Sequence, residues 1–331
     1  MKNPRKTAIR FVYLLTPISI AIFGLAASAQ TCGSVISTNT VLTSDIGPCS
    51  SYGLYAAGKI TLNLNGHTIR GTGGNNSIYY NGIVAESGVT ITGPGTITGF
   101  NAGIWADAGS VTTPVVVTGL RLTGNNFGVR LTEGSDFTRV VDNTITKGGT
   151  GVSVVGCGAE IKGNTITKNS QQGIGVLDPA WTGVFVVNNV VTDNGSGLTV
   201  GFADDPEYSN DLVSVVGNTF SRNTGGGVSL AGGNISFETN LVEQNQGDGV
   251  VLTNHASLPA PGNLVLDNVV RENSGNGISV LNSDATDSNR IAQNESRKNT
   301  GFDLFWDGVG TTSCWIYNDF KTSSPATLPC P

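Results

Sequence analysis

Methionine occurs once, at Met1, and histidine twice, at His67 and His255. Soft and imidazole ligands are therefore almost missing, which argues against a role in delivering transition metals. Charged residues make up 13% of the chain, and 18 bases face 24 acids. That balance disfavours non-specific nucleic-acid binding. Beyond Leu25 no run is long and apolar enough to cross a bilayer as a helix. Helical stretches are missing as well: Gly and Asn punctuate every window that could hold one, which excludes helical solenoids and α/β repeats.

What is present begins with an export pattern. Lys2, Arg5, Lys6 and Arg10 precede an apolar run from Phe11 to Leu25, and Ala27-Ser28-Ala29 closes it. Residues 1–29 read as a secretory signal peptide, so the mature chain is expected to work in the periplasm or outside the cell. Removal of those four bases leaves 14 against 24 acids, a net charge of −10. Cys32 and Cys49 bracket the start of the mature chain and Cys314 and Cys330 its end. Their placement suits two local disulfides formed after export, Cys32-Cys49 and Cys314-Cys330. Cys157 is left as a buried or turn thiol, since no histidine lies near it in sequence.

One phrase recurs through the middle of the chain: apolar, two residues, Asn, any residue, apolar, then often a second Asn and a Gly. Its first Asn stands at Asn143, Asn164, Asn189, Asn218, Asn240, Asn268, Asn294 and Asn318, about 25 residues apart on average and in the range of solenoid repeats. Leu120 and Gly95 hold the equivalent place in two earlier copies. Apolar residues three before and two after each Asn form inward rows, and the odd interval implies a bend between short strands near the Asn. A further strand follows each Gly, as in Val152-Ser153-Val154 and Ile278-Ser279-Val280. These features predict an all-β fold, a single-stranded parallel solenoid of about ten coils with disulfide-stapled terminal caps. Residues 30–79 would form the N-terminal cap and first coil, 80–312 the repeats and 313–331 the C-terminal cap. Identical amides on stacked turns can form a hydrogen-bonded ladder, so the asparagines are expected to be structural.

Cys32-Gly33-Ser34-Val35-Ile36, the stretch Leu42 to Cys49, and Ile60 to Ile69 resemble the N-terminal region of secreted right-handed parallel β-helix proteins of the pectin-lyase-like superfamily, NosD-like members included. Together with the repeats, the resemblance covers nearly all of the mature chain. It implies a right-handed coil and leaves function open, because the superfamily spans polysaccharide lyases, glycoside hydrolases, uronan epimerases and adhesins. His67 falls inside the Leu-Asn-Gly-His-Thr-Ile phrase, where a structural role is expected. The Tyr-Gly-Phe-Asp-Pro-His-Asp motif of alginate epimerases is only faintly matched by residues 201–207, without its tyrosine and histidine.

The strands after each Gly run into connectors of unequal length, the longest being 177–183, 201–211, 253–262 and 281–289. All four should leave the coil at one corner, the side on which solenoids build binding faces. They carry Asp178 and Trp181, then Asp204, Asp205, Glu207 and Tyr208, then His255, then Asp284 and Asp287. Aromatic faces pack on sugar rings, while carboxylates bond hydroxyls or act as acid and base; acidic loop tips are equally what a solvated surface presents. Asp178, Asp204 and Asp205 are the candidate catalytic acids, and Arg130 is the base-bearing position on the outward row. That row otherwise reads Ser153, Gly175, Thr199, Ser229, Val251 and Ser279, flanked by Trp105 and Arg130 at one end and Asp303 at the other.

Two functions compete. One is a protein that binds or processes an extracellular polysaccharide, a uronate-type glycan being one candidate; as an enzyme it would be a lyase, glycoside hydrolase or epimerase. The other is a non-catalytic envelope, surface or adhesion protein that uses the rod as a spacer. No cofactor and no metal site are expected, although loop carboxylates are able to hold Ca²⁺. The partner expected is a polysaccharide.

Overall fold

The computed structural model describes residues 29–74, 77–107, 113–178, 183–201, 212–253, 262–281, 289–309 and 313–330; the signal-peptide reading of the N-terminus thus falls almost wholly outside them. Thirty-seven short strands run from β1 (Ser34–Ile36) to β37 (Ser323–Ser324), with no helix among the described residues. They sort into three sheets of 13, 12 and 12 strands in which each strand neighbours those three before and three after it. The chain therefore winds as a right-handed parallel β-helix, each turn contributing one strand to each sheet. The first turn already consists of β1, β2 (Thr40–Val41) and β3 (Ile46–Cys49), and the disulfides Cys32–Cys49 and Cys314–Cys330 staple the two ends of the rod.

The core is a set of stacked apolar columns. In the second sheet Val140, Ile161, Val186, Val215, Phe237, Val265, Ile291 and Trp315 lie buried in register, and in the third Ile145, Ile166, Val191, Phe220, Val242 and Val270 do the same. Burying these rows requires neighbouring turns on both sides, so stability comes from stacking rather than from any one repeat.

The corner between the second and third sheets carries the predicted amide ladder. From Asn143 to Asn318, each Nδ2 donates to the Oδ1 of the Asn one turn on, at 2.9–3.1 Å. Each Nδ2 also donates to a carbonyl of the preceding turn, as Asn189 does to Ile161 at 2.8 Å. The same Oδ1 receives the backbone N–H of the Asn before it, for example Asn164 to Asn189 at 2.9 Å. Buried amides that each donate twice and accept twice leave nothing unsatisfied, which is what makes polar side chains tolerable inside the rod. Leu120 joins through its backbone alone, donating its N–H to Asn143 Oδ1 at 3.0 Å.

A second ladder, Asn169, Asn194, Asn223, Asn245, Asn273 and Asn299, occupies the corner leading back to the first sheet, with links of 2.8–3.3 Å. A short third one, Asn263 to Asn289 to Ser313, starts the late strands of the second sheet. At the two main corners the residue before the Asn adopts left-handed φ, including Asp142, Asn188, Thr239, Arg222 and Glu272 at 53–57°. The chain reverses there within two residues, and few residues enter that region without cost.

The recurrent glycines have a separate cause. Gly53, Gly82, Gly103, Gly128, Gly151, Gly173, Gly197, Gly227, Gly249 and Gly277 stack in one column, and a Cβ at any of them would lie 2.2–2.9 Å from a carbonyl oxygen of the next turn. The column ends at Asp303. Sequence register set Asp303 on the outward row, but the residue opposite Ser279 is Phe305, and Asp303 is buried. Its Oδ1 accepts from Asn299 Nδ2 at 3.1 Å and its Oδ2 from the N–H groups of Lys321 and Thr322 at 3.0 and 3.1 Å. Close to the end of the rod a side chain finds room where every earlier turn needs glycine, so Asp303 closes both the second ladder and the glycine column.

Candidate functional site

The outer face of the 13-stranded sheet carries a row of side chains that runs along the rod. Strand pairing places Tyr55, Val84, Trp105, Arg130, Ser153, Gly175, Thr199, Ser229, Val251, Ser279 and Phe305 side by side along the rod axis. At about 4.8 Å per turn the small residues from Ser153 to Val251 span roughly 19 Å. A trough of small side chains thus runs from Arg130 to Val251; Ser279 beyond it is buried, its Oγ donating to Asp248 Oδ2 at 2.9 Å. Within the trough is a hollow of about 210 Å³ around Gly175, lined also by Ser153, Gln172, Leu177 and Thr199.

The N-terminal end of the trough is aromatic and charged. Trp105 Nε1 donates to Thr132 Oγ1 at 3.2 Å, which fixes the indole. The Arg130 guanidinium carbon lies 5.2 Å from the centroid of the Phe127 ring, a cation–π arrangement that holds the charge at the trough's end. The Tyr55 hydroxyl donates to Glu86, and that bond, followed by partial burial, raises the phenol to about 12. Tyr55, Glu86 and Phe127 were not singled out by sequence reasoning. Alternation along Leu54-Tyr55-Ala56 was the available signal, since it puts Tyr55 between two buried residues.

The four long connectors do flank one corner. Leu177 and Gly201 are register partners in the first sheet, as are Thr253 and Leu281, and the chain rejoins the second sheet at the paired Val184 and Val213 and at the bonded Asn263 and Asn289. Asp178 stands at this rim with φ 48°, its N–H bonded to the Gly201 carbonyl at 3.0 Å. It is about two turns, roughly 10 Å of rod, beyond Arg130. Trp181, Asp204, Asp205, Glu207, Tyr208, His255, Asp284 and Asp287 lie outside the described residues.

Two other residues are placed. His67 bonds Asp45 of the preceding turn at 3.3 Å; the Thr68 N–H, chiefly, and His67 hold Asp45 below its ordinary range. His67 is thus a corner residue of the first turns. Cys157 is free and buried, with the Ser135 hydroxyl donating to its Sγ at 3.4 Å, and burial pushes its thiol up to about 11. A thiol so held is inert near neutral pH. Among the described residues no group of three His, Cys, Asp or Glu could hold a metal ion, and no helix is long and apolar enough to cross a membrane.

The three-sheet coil, its ladders and its glycine column define a right-handed β-helix protein. The chain belongs to that family: the family model described as "Right handed beta helix region" matches residues 52–213 and again 127–300. No curated protein matches the sequence. Among solved structures, the periplasmic alginate epimerase AlgG is similar at 13% identity, over 86% of this chain and 76% of that one, with a TM-score of 0.64. The A-module of the Azotobacter vinelandii mannuronan C-5 epimerase AlgE4 is similar at 19% identity, over 91% and 88%, with a TM-score of 0.57. The catalytic domain of a GH87 α-1,3-glucanase, in complex with tetrasaccharides, is similar at 14% identity, over 87% and 62%, with a TM-score of 0.56. At these identities the likeness is one of fold.

Proposed function

We propose that this protein binds an extracellular polysaccharide laid lengthwise in the trough of the first sheet, with a uronate-type chain the best fit. The single observation that carries the reading is the row of small outward residues from Ser153 to Val251, stopped by Arg130 at one end and by the buried Ser279 with its Asp248 partner at the other. A long ligand gains contact on every turn of such a floor, and Arg130 supplies a guanidinium suited to a sugar carboxylate. Three proteins of the same fold named for alginate, mannuronan and α-1,3-glucan support a glycan as the ligand. The two disulfides suit an oxidising compartment and support residues 1–29 as an export signal. Processing of the bound chain would fall to Asp178, Asp204 and Asp205.

Affinity electrophoresis of the mature protein in gels of alginate, polygalacturonate and a neutral glucan tests this. Retardation by a polyuronate is expected, with loss in Ser229→Trp, which fills mid-floor, and a roughly tenfold weakening in Arg130→Ala. Equal mobility in both polyuronate gels and a polymer-free gel, or polyuronate retardation that survives Ser229→Trp, defeats the proposal and leaves the rod as a spacer or adhesin. Absorbance at 235 nm that appears with the wild type and vanishes in Asp204→Ala or Asp205→Ala would add lyase chemistry.

A further inference from the structure

A second recess lies on the second sheet, outside the trough. It is a notch of about 400 Å³, within the size range of small-ligand sites, and the register explains how it arises. The residue just before the second-sheet strand is Phe137, Gly158, Gly183 and Leu212 on four successive turns, as the pairing of Thr138 with Ala159, Val184 and Val213 requires. Two consecutive glycines remove two side chains from the corner, while Phe137 and Leu212 stand at either end, 46% and 40% exposed. Phe185 closes the side: a Cβ on Gly183 would lie 3.4 Å from its ring.

The exposed aromatic is held there at a cost. Phe137 has φ 61°, a region that bulky side chains avoid. Hydrogen bonds on both sides fix it: Asp136 Oδ1 accepts the Gly158 N–H at 2.8 Å, and Thr138 Oγ1 donates to the Ser135 carbonyl at 2.6 Å. A strained backbone that turns a ring outward is a reason to look for a ligand. Beside the rings, Arg139 Nε donates to Glu160 Oε2 at 2.6 Å. Among the described residues the Nη groups and Oε1 have no other protein partner, so they remain able to bond hydroxyls. The pair carries no net charge.

We propose that this notch is a second carbohydrate subsite, which takes the apolar face of a neutral sugar ring against Phe137 and Phe185 while Arg139 and Glu160 engage its hydroxyls. An anionic sugar is disfavoured because its carboxylate would compete with Glu160 for Arg139. The site is independent of the trough, which faces outward from a different sheet.

Saturation-transfer NMR on the mature protein with cellohexaose, maltohexaose, laminarihexaose and hexagalacturonate tests this. At least one neutral hexasaccharide is expected to receive transfer, and hexagalacturonate is expected not to compete with it. Phe185→Ser should weaken the neutral ligand roughly tenfold while folding normally, since Ser214 and Ser236 occupy the same register on the next two turns. Glu160→Gln should make hexagalacturonate a competitor by leaving Arg139 uncompensated. The proposal is overturned if no neutral hexasaccharide binds, if Phe185→Ser binds like wild type, if only an apolar peptide competes, or if Ser229→Trp alone abolishes neutral binding. The last outcome would put neutral glycans in the trough, whereas failure of the trough reading leaves the Phe185→Ser result standing.

Discussion

Two corners of the same coil behave in opposite ways. Between the second and third sheets the chain uses two residues in every turn from Asp142-Asn143 to Tyr317-Asn318. Between the first and second sheets it uses three residues from Val155 to Ala159 and eleven from Gly201 to Val213. The difference is that the first corner contains a continuous chain of buried amides, each of which must find the next within hydrogen-bond range. Among the described residues of the second corner, Asn39 Oδ1 accepts the Thr61 N–H at 2.8 Å, and Asn263, Asn289 and Ser313 form the short third ladder where long connectors rejoin the sheet. The corner with the continuous ladder keeps one length from turn to turn and the other does not, so connectors of unequal length gather where the continuous ladder is missing.

The largest expected effect attacks that contrast directly. Asn218→Ala would strip the acceptor from both the N–H and the Nδ2 of Asn189, with a cost of about 3 kcal/mol read from urea denaturation. Three Gly/Ser residues inserted after Pro206, within the eleven residues that join Gly201 to Val213, should cost only ~0.2 kcal/mol by loop closure. Equal losses from the two changes would contradict the assignment of rigidity to the amides.

A smaller effect sharpens the same point. Thr239 holds φ 53° at a ladder corner where Asn188 adopts the same φ and Gly217 φ 69°. Thr239→Asn should raise the melting temperature, by roughly 0.5–1 kcal/mol of relieved left-handed strain. The smallest concerns the outer surface of the second ladder's corner, where Arg222 donates to both oxygens of Asp193 at 3.0 and 3.1 Å. Arg222, and then the Thr192 hydroxyl, hold the Asp193 carboxyl below its ordinary value. A depressed folded value means stability present above the ordinary carboxylate range and lost as pH falls through the folded value. Because both groups are largely solvated, the acid-dependent loss of stability should shrink by only about 0.5 kcal/mol in Asp193→Asn.

The repeat made the coil legible before any coordinates: the first-ladder asparagines, the inward rows, both disulfides and the shared corner of the long connectors were all read from spacing. The outward row was legible only in its middle. Tyr55 escaped because the earliest turns lack the Asn marker, and Asp303 was set two residues out of register because it occupies a glycine-column position in a repeat whose Gly-strand phrase looks ordinary. The reason for the glycines was also invisible, since the carbonyl that forbids each Cβ belongs to the following turn.

What the sequence determined by itself is the rod, because period, amide placement and apolar alternation are local patterns that repeat and reinforce one another. What only the tertiary structure decided is which residues from different turns become neighbours. Tyr55 in Trp105's row, the small floor ending where Asp248 bonds the buried Ser279, and Gly158 and Gly183 between Phe137 and Leu212 all depend on cross-turn register. Register is set by hydrogen bonding between turns whose connectors differ in length, so equal spacing along the chain does not reveal it.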